Sequence, residues 1–175
     1  MMLVWLLACA PAPEDIAKAI ASENPQMRED GAKIAQNYDD EVVIAALVGV
    51  LTDPSEQVRL NAIESLAELD ATSAGSPLIA RLADDPSAKV RRAAVDALGR
   101  LAVQESIPVI ITYMAGFSPD DRDQLAGIWA LGTIGAEGLP AASKKQALDT
   151  LVTLRNTTSD KHIRYQASAA LRTLK

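Results

Sequence analysis

Few side chains in this 175-residue sequence could do covalent or metal chemistry. There is one cysteine, Cys9, and one histidine, His162. One of each cannot form an intramolecular disulfide or a Cys/His zinc site. His162 is the only histidine that could serve a nucleophile as base, and no Gly-x-Ser-x-Gly elbow accompanies it. It stands in Lys161-His162-Ile163-Arg164, which reads as the exposed start of a helix. Gly-rich phosphate loops are absent from the sequence. The acidic runs Asp39-Asp40-Glu41, Asp84-Asp85 and Asp120-Asp121-Arg122-Asp123 show no calcium-loop pattern, and a metal site would need ligands converging from several segments. Each run is read as a helix start, where carboxylates meet the positive end of the helix dipole. Lys and Arg number 17 against 23 Asp and Glu, a net charge of -6 that disfavours phosphate-rich partners. No catalytic residue, metal, cofactor or nucleic acid is therefore expected, and the chain is not expected to be an enzyme.

The elements that must position everything else form a repeat. Asp53-Pro54-Ser55-Glu56-Gln57-Val58-Arg59 matches Asp85-Pro86-Ser87-Ala88-Lys89-Val90-Arg91 at an offset of 32. Weaker copies start at Met27-Arg28, Asp123-Gln124 and Ile163-Arg164. In each copy a small residue (Gly31, Ala62, Ala94, Gly127, Ala167) follows four positions after the first column. Four further on comes Ala35, Leu66, Leu98, Leu131 or Leu171. Spacings of i, i+4 and i+8 mark one face of a helix. The chain is 49% hydrophobic but only 3% aromatic, as closely packed helices with small columns require. Five second helices are expected near 26–37, 56–70, 88–102, 121–135 and 161–174. Each is preceded by a first helix, near 14–21, 40–51, 77–83, 106–114 and 140–155. Ser76-Pro77 and Ser118-Pro119-Asp120-Asp121 read as helix N-caps, and Leu98-Gly99 and Gly132-Thr133-Ile134-Gly135 as helix ends.

The Asp-Pro turn, Val-Arg, Ala and Leu-Gly pattern resembles the HEAT repeat, in the short form of the phycobilisome-lyase type. The resemblance covers about residues 14–175, and the second and third copies carry it best. It implies an all-α fold: an α-solenoid of about five stacked helix pairs, with the second helices lining a concave face. It further implies that Arg28, Arg59, Arg91 and Arg164, with Asp53 and Asp85, form a structural ladder between repeats. The fourth copy departs, with Asp123-Gln124 where Val-Arg is expected. HEAT-type hydroxylases hold iron with paired His-Glu motifs, which this sequence lacks.

Residues 1–13 stand apart. The run Met1 to Ala8 is apolar but far shorter than the roughly 20 residues of a membrane-spanning helix. Leu6-Leu7-Ala8-Cys9 resembles the lipobox of bacterial lipoproteins, in which the cysteine is lipidated, and Ala10-Pro11-Ala12-Pro13 reads as a tether. That predicts lipid attachment at Cys9 in the bacterial cell envelope. The other reading is an apolar first helix of a cytoplasmic protein, ended by Pro11.

Two columns on the second helices vary. One reads Glu29, Leu60, Arg92, Leu125, Tyr165, and the next turn reads Lys33, Glu64, Asp96, Trp129, Ala169. Trp129 and Tyr165 interrupt columns that are mostly polar elsewhere, and such residues are enriched among binding hot spots. Leu125, Trp129 and Tyr165, with Leu60 and Arg92, are the expected contacts to a protein partner of a non-catalytic scaffold or adaptor. The alternative is that the 135–145 connection covers Trp129. Alternative functions are a bilin-lyase-like or chromophore-binding accessory protein and a cytoplasmic regulatory HEAT protein.

Overall fold

The computed structural model describes residues 11–135 and 139–174. Cys9 and the apolar run before it lie outside the described residues. The described residues form ten α-helices joined by turns and short 3₁₀ segments, with no strand among them. They fall into two compact units, one ending at Ala71 and one beginning at Thr72.

The first unit holds α1 (Pro13–Ile20), α2 (Pro25–Ile34), α3 (Glu41–Gly49) and α4 (Glu56–Glu68). Helix α1 packs on α2 and α3, and α2 packs on α4. The second unit holds α5 (Gly75–Asp84), α6 (Ala88–Arg100), α7 (Ile107–Ala115), α8 (Gln124–Ile134), α9 (Ala141–Thr157) and α10 (Lys161–Thr173). Here first helices stack on first helices, α5 on α7 on α9, and second on second, α6 on α8 on α10. The small and large columns are buried in all five copies, from Gly31 and Ala35 to Ala167 and Leu171. Each buried Leu or Val removes apolar surface from water, a gain of about 1.5–3 kcal/mol apiece. The small column sets how closely helices approach. A methyl group on Gly31 would stand 2.9 Å from the Ile20 backbone nitrogen, so only glycine allows the α1–α2 crossing.

The repeated Asp-Pro-Ser…Arg motif is a turn that locks itself. The Asp53 carboxylate accepts the Ser55 amide, and Asp85 accepts that of Ser87, each at 2.9 Å. Ser55 and Ser87 then cap α4 and α6 by accepting from Val58 and Val90. The arginine reaches back six residues to a carbonyl: Arg28 to Ser22, Arg59 to Asp53, Arg91 to Asp85 and Arg164 to Thr158, at 2.6–3.0 Å. In the fourth copy Gln124 does this with its amide, donating to Ser118 O at 3.3 Å and Met114 O at 3.0 Å. The departure noted in that copy is thus a change of donor, not of register. It leaves Gln124 Oε1 buried without a partner. One ladder bond between copies lies within the first unit: Arg28 Nε donates to Asp53 Oδ2 at 2.6 Å, with both side chains largely buried. Burial raises the Asp53 pKa, but the Arg28 bond and the Ser55 amide outweigh it and leave it below the ordinary carboxylate value.

Several local expectations need correcting. Ser76-Pro77 is not the cap of α5, which starts at Gly75 after Ala74, with Ser76 already helical. Asp84-Asp85 closes α5 rather than opening a helix. Gly99 does not end α6; it lies inside it, where α8 crosses. Left-handed residues follow α4 and α6 instead, Asp70 and Ala102 (φ 48° and 51°), while α8 ends at Gly135 (φ 71°) as its sequence suggests. The run 118–121 precedes α8 without capping it, because α8 begins at Gln124. Asp120 instead faces the turn before α10. It accepts from Ser159 N, Ser159 Oγ, Thr158 Oγ1 and Asp160 N at 2.6–3.2 Å. These bonds, led by the Ser159 hydroxyl, pull its pKa down to about 2. The carboxylate here comes from the preceding copy and the donors from the following one, the reverse of the Arg28–Asp53 rung.

Two measurements test these constraints. A methyl at Gly99 would lie 2.8 Å from Ala130 Cα and 2.9 Å from Trp129 Cζ3, whereas Gly49 has open space. Gly99→Ala should lower the unfolding free energy in urea by about 1–2 kcal/mol despite better helix propensity, and Gly49→Ala should not lower it. For Asp120, whose folded pKa lies below the unfolded value of about 3.9, stabilisation is complete above that pH and lost as pH falls through about 2. Exchange protection of the Ser159 and Asp160 amides should fall across this window. In Asp120→Asn the protection should be reduced throughout, and the step should vanish. A step that survives in the variant removes Asp120 from this role.

Candidate functional site

The two variable columns reach the surface. Glu29, Leu60, Leu125, Asp96 and Ala169 are partly exposed, and Lys33, Glu64, Arg92, Trp129 and Tyr165 are exposed. Trp129 keeps 44% and Tyr165 63% of its surface accessible. Trp129 is therefore not buried under the described part of the 135–145 connection. Leu60 lies on α4 of the first unit, and the other four expected contact residues lie on α6, α8 and α10 of the second.

Why Trp129 stands where it does follows from the packing beneath it. Ala130 presses against Gly99, and the edge of the Trp129 ring lies over the same glycine. The ring thus rests on α6 while its other side borders two hollows between α8 and α10. One, of about 200 Å³, is lined by Leu125, Trp129, His162 and Gln166. The other, of about 190 Å³, lies between Trp129, Gly132 and Thr133 on α8 and Ala169 and Thr173 on α10. Each is smaller than the 300–1,000 Å³ of typical small-molecule sites and suits single side chains better.

Along α6, Arg92, Asp96 and Gly99 form a stripe at i, i+4 and i+7 that faces α8. At one end Arg92 Nη1 meets Asp123 Oδ1 at 3.5 Å, with both side chains about half exposed. At the other, Gly99 meets Ala130 and Trp129. Asp96 lies between. Burial raises its pKa, and the nearby Arg92 only partly opposes this. Asp123, in a column that is apolar in the other copies, is accommodated because Arg92 answers it.

The arginine and aspartate columns do not gather into an anion site. The arginines donate to turn carbonyls, Arg28 also to Asp53, and Asp53 and Asp85 accept turn amides. Among the described residues no group of three His, Cys, Asp or Glu side chains could hold a metal ion. No described helix is long and apolar enough to cross a membrane. His162 is exposed and lines the hollow of about 200 Å³ between α8 and α10. Sequence reasoning missed the partners of Asp120 and a hollow of about 350 Å³ between α7 and α9, lined by Ile111, Met114, Phe117, Thr150 and Thr153 among others. A signal for the first existed: Thr158-Ser159-Asp160 departs from Asp-Pro-Ser in the position where the second and third turns carry Asp53 and Asp85.

The comparisons agree with this architecture. The solved complex of CpcE and CpcF of phycocyanin lyase from Nostoc sp. PCC7120 is similar at 21% identity and a TM-score of 0.78. The match covers 97% of this chain and 67% of that one. An engineered protein is similar at 21% identity and a TM-score of 0.68, over 93% of this chain and 81% of that one. At this identity the likeness speaks for the fold alone. No curated protein sequence matches the chain. Residues 13–88 and 75–172 both match the family described as HEAT repeats. With the buried columns, the self-locked turns and the stacked helix pairs, this match makes the chain a member of the HEAT-repeat family.

Proposed function

We propose that the protein is a non-catalytic scaffold that holds a protein partner against its second helices, with Trp129, Tyr165 and Leu125 as the principal contacts. The observation that carries this is the exposure of Trp129 and Tyr165 in a chain with six aromatic residues in all. A folded chain gains nothing by leaving its large rings in water, whereas burial of such rings at an interface contributes strongly to affinity. Leu60 and Arg92 extend the contact on their own helices. The similar solved structure is itself a complex of two subunits, which supports a protein partner.

A photo-crosslinker at position 165 should give a discrete adduct in the native host, and one at Thr153, on the exposed side of α9, should not. Trp129→Ala should weaken that capture by about 2 kcal/mol or more with helicity unchanged. Adducts that are equal from both positions and indifferent to Trp129 would defeat the reading.

A second reading is favoured by the name of the similar complex, a phycocyanin lyase: handling of a bilin as an accessory to an enzyme. The α7–α9 hollow of about 350 Å³ is at the low end for such a ligand, and its lining has neither cysteine nor histidine. Added bilin should shift in absorbance with the protein on this reading and remain unchanged on the first.

Attachment to the bacterial cell envelope through a lipidated Cys9 is the proposed address, supported by Leu6-Leu7-Ala8-Cys9 and the tether that follows. Two acyl chains, at about 0.8 kcal/mol per buried CH₂, suffice for a stable anchor. Cells expressing the full chain should incorporate a clickable fatty acid, and Cys9→Ser should abolish it. Labelling that persists in Cys9→Ser sinks the address without touching the binding reading.

A further inference from the structure

The stripe on α6 and the ring on α8 have a chemistry more specific than an apolar patch. Asp96 is a partly exposed carboxylate for which the structure shows no hydrogen bond and no ion pair. Arg92, the cation of the same helix whose charge acts on it, is directed to Asp123 at 3.5 Å. Asp96 sits one turn before Gly99, the residue over which the Trp129 ring lies. A partly desolvated carboxylate is costly, the neighbouring Arg92 offsets that cost only in part, and a further cation placed beside it would offset the rest. The face of an indole ring attracts the same kind of group, with Trp the best of the aromatic residues for it.

Resting on the docking reading above, we infer that Asp96 and Trp129 together form a notch that receives a lysine or arginine side chain of the partner protein. The aliphatic stem of such a side chain lies along Trp129, and its charged head reaches Asp96. Charge complementarity selects this occupant over an apolar or acidic one. A leucine would leave Asp96 partly desolvated and unpaired, and a glutamate would add a like charge beside it. General attraction does not explain the preference. Residues 72–175 carry 13 Lys and Arg against 10 Asp and Glu, so the selectivity resides in the notch and not in the field of the whole unit. Arg92 contributes by staying engaged with Asp123. Released from Asp123, it would fill the notch itself.

The probe is a ten-residue peptide of alternating lysine and leucine, compared with the same peptide acetylated at every lysine, which keeps the stems and removes the charge. The protein is the full chain with Trp5→Phe, so that Trp129 is the only tryptophan. The lysine peptide should change Trp129 emission and bind at least tenfold more tightly than the acetylated one. Asp96→Asn, which keeps the shape of the side chain, should remove that tenfold preference. Asp96→Glu should restore part of it. Circular dichroism establishes that both variants are folded, and the comparison of the two peptides on the unmutated Asp96 stands without them. Equal affinity for the two peptides overturns the cation notch while leaving the docking surface intact. So does a preference that survives in Asp96→Asn. A lysine peptide that leaves Trp129 unperturbed overturns the notch as well, whereas the docking surface stands or falls by its crosslinking test.

Discussion

Each second helix is fixed to the turn before it by a single donor that reaches a carbonyl six residues upstream. Arginine supplies the donor four times and glutamine once. The bond is worth more than its net energy suggests, because it sets the angle at which the chain enters the helix. Within each unit the second helices then pack on one another, α2 on α4 and α6 on α8 on α10. A helix pair of this kind cannot bury its own apolar stripe, so stacking supplies the core. Gln124 illustrates the constraint from the exception. A shorter, neutral side chain keeps the reach to Ser118 at the expense of one unsatisfied oxygen. Where the ladder aspartate of the fifth copy is replaced by Thr158, Asp120 of the fourth supplies the carboxylate from the other side.

Constant geometry has a second consequence, in the composition. Columns built from Gly, Ala, Leu, Ile and Val fill the space between helices, and large rings do not fit there. Gly99 has room for no side chain at all between α6 and α8. Four of the described aromatic residues sit outside those columns. Tyr113 and Phe117 pack edge to face, centroids 4.9 Å apart, by the turn after α7, and Trp129 and Tyr165 lie on the second-helix surface. The scarcity of aromatics and the exposure of two of them have one cause.

The helices and their columns were legible because period and residue size act locally and repeat. Val58, Val90 and Ile163 announce buried positions in any copy, and the structure buries all three. Met27 occupies the same column but is 36% exposed, since α2 belongs to the first described pair and no described second helix packs on that side of it. What was not legible was the destination of side chains that leave their own copy. Ser118-Pro119-Asp120-Asp121 has the composition of an N-cap, yet the partners of Asp120 lie 38 to 40 residues further along. Gly99 looks like a helix end, and only the approach of Ala130 explains why glycine is required inside the helix. Ser76-Pro77 failed for a different reason: the helix gained an extra turn start at Gly75, and Ser76 lost its capping role to position. The surface columns were legible as surface, but the stripe that sets Asp96 between Arg92 and Gly99 depends on the facing helix and had no signature in α6 alone.

The framework and the variable columns are separable in energy as well as in space. In the two Asp-Pro-Ser turns the arginine, aspartate and serine bond within the turn and its helix start, so much of their hydrogen-bonding capacity is spent inside the repeat. A partner offered to those residues would have to break bonds that are partly buried, and would gain little. Trp129, Tyr165 and Asp96 are less committed: two rings are in contact with water, and the charge of one carboxylate is only partly offset by Arg92. Binding at these positions removes an existing cost instead of exchanging one bond for another. A surface of this kind can change partner by changing two columns while every rung, cap and buried column stays as it is. That separation is why the fold of this chain speaks clearly while its partner is written in only a few residues.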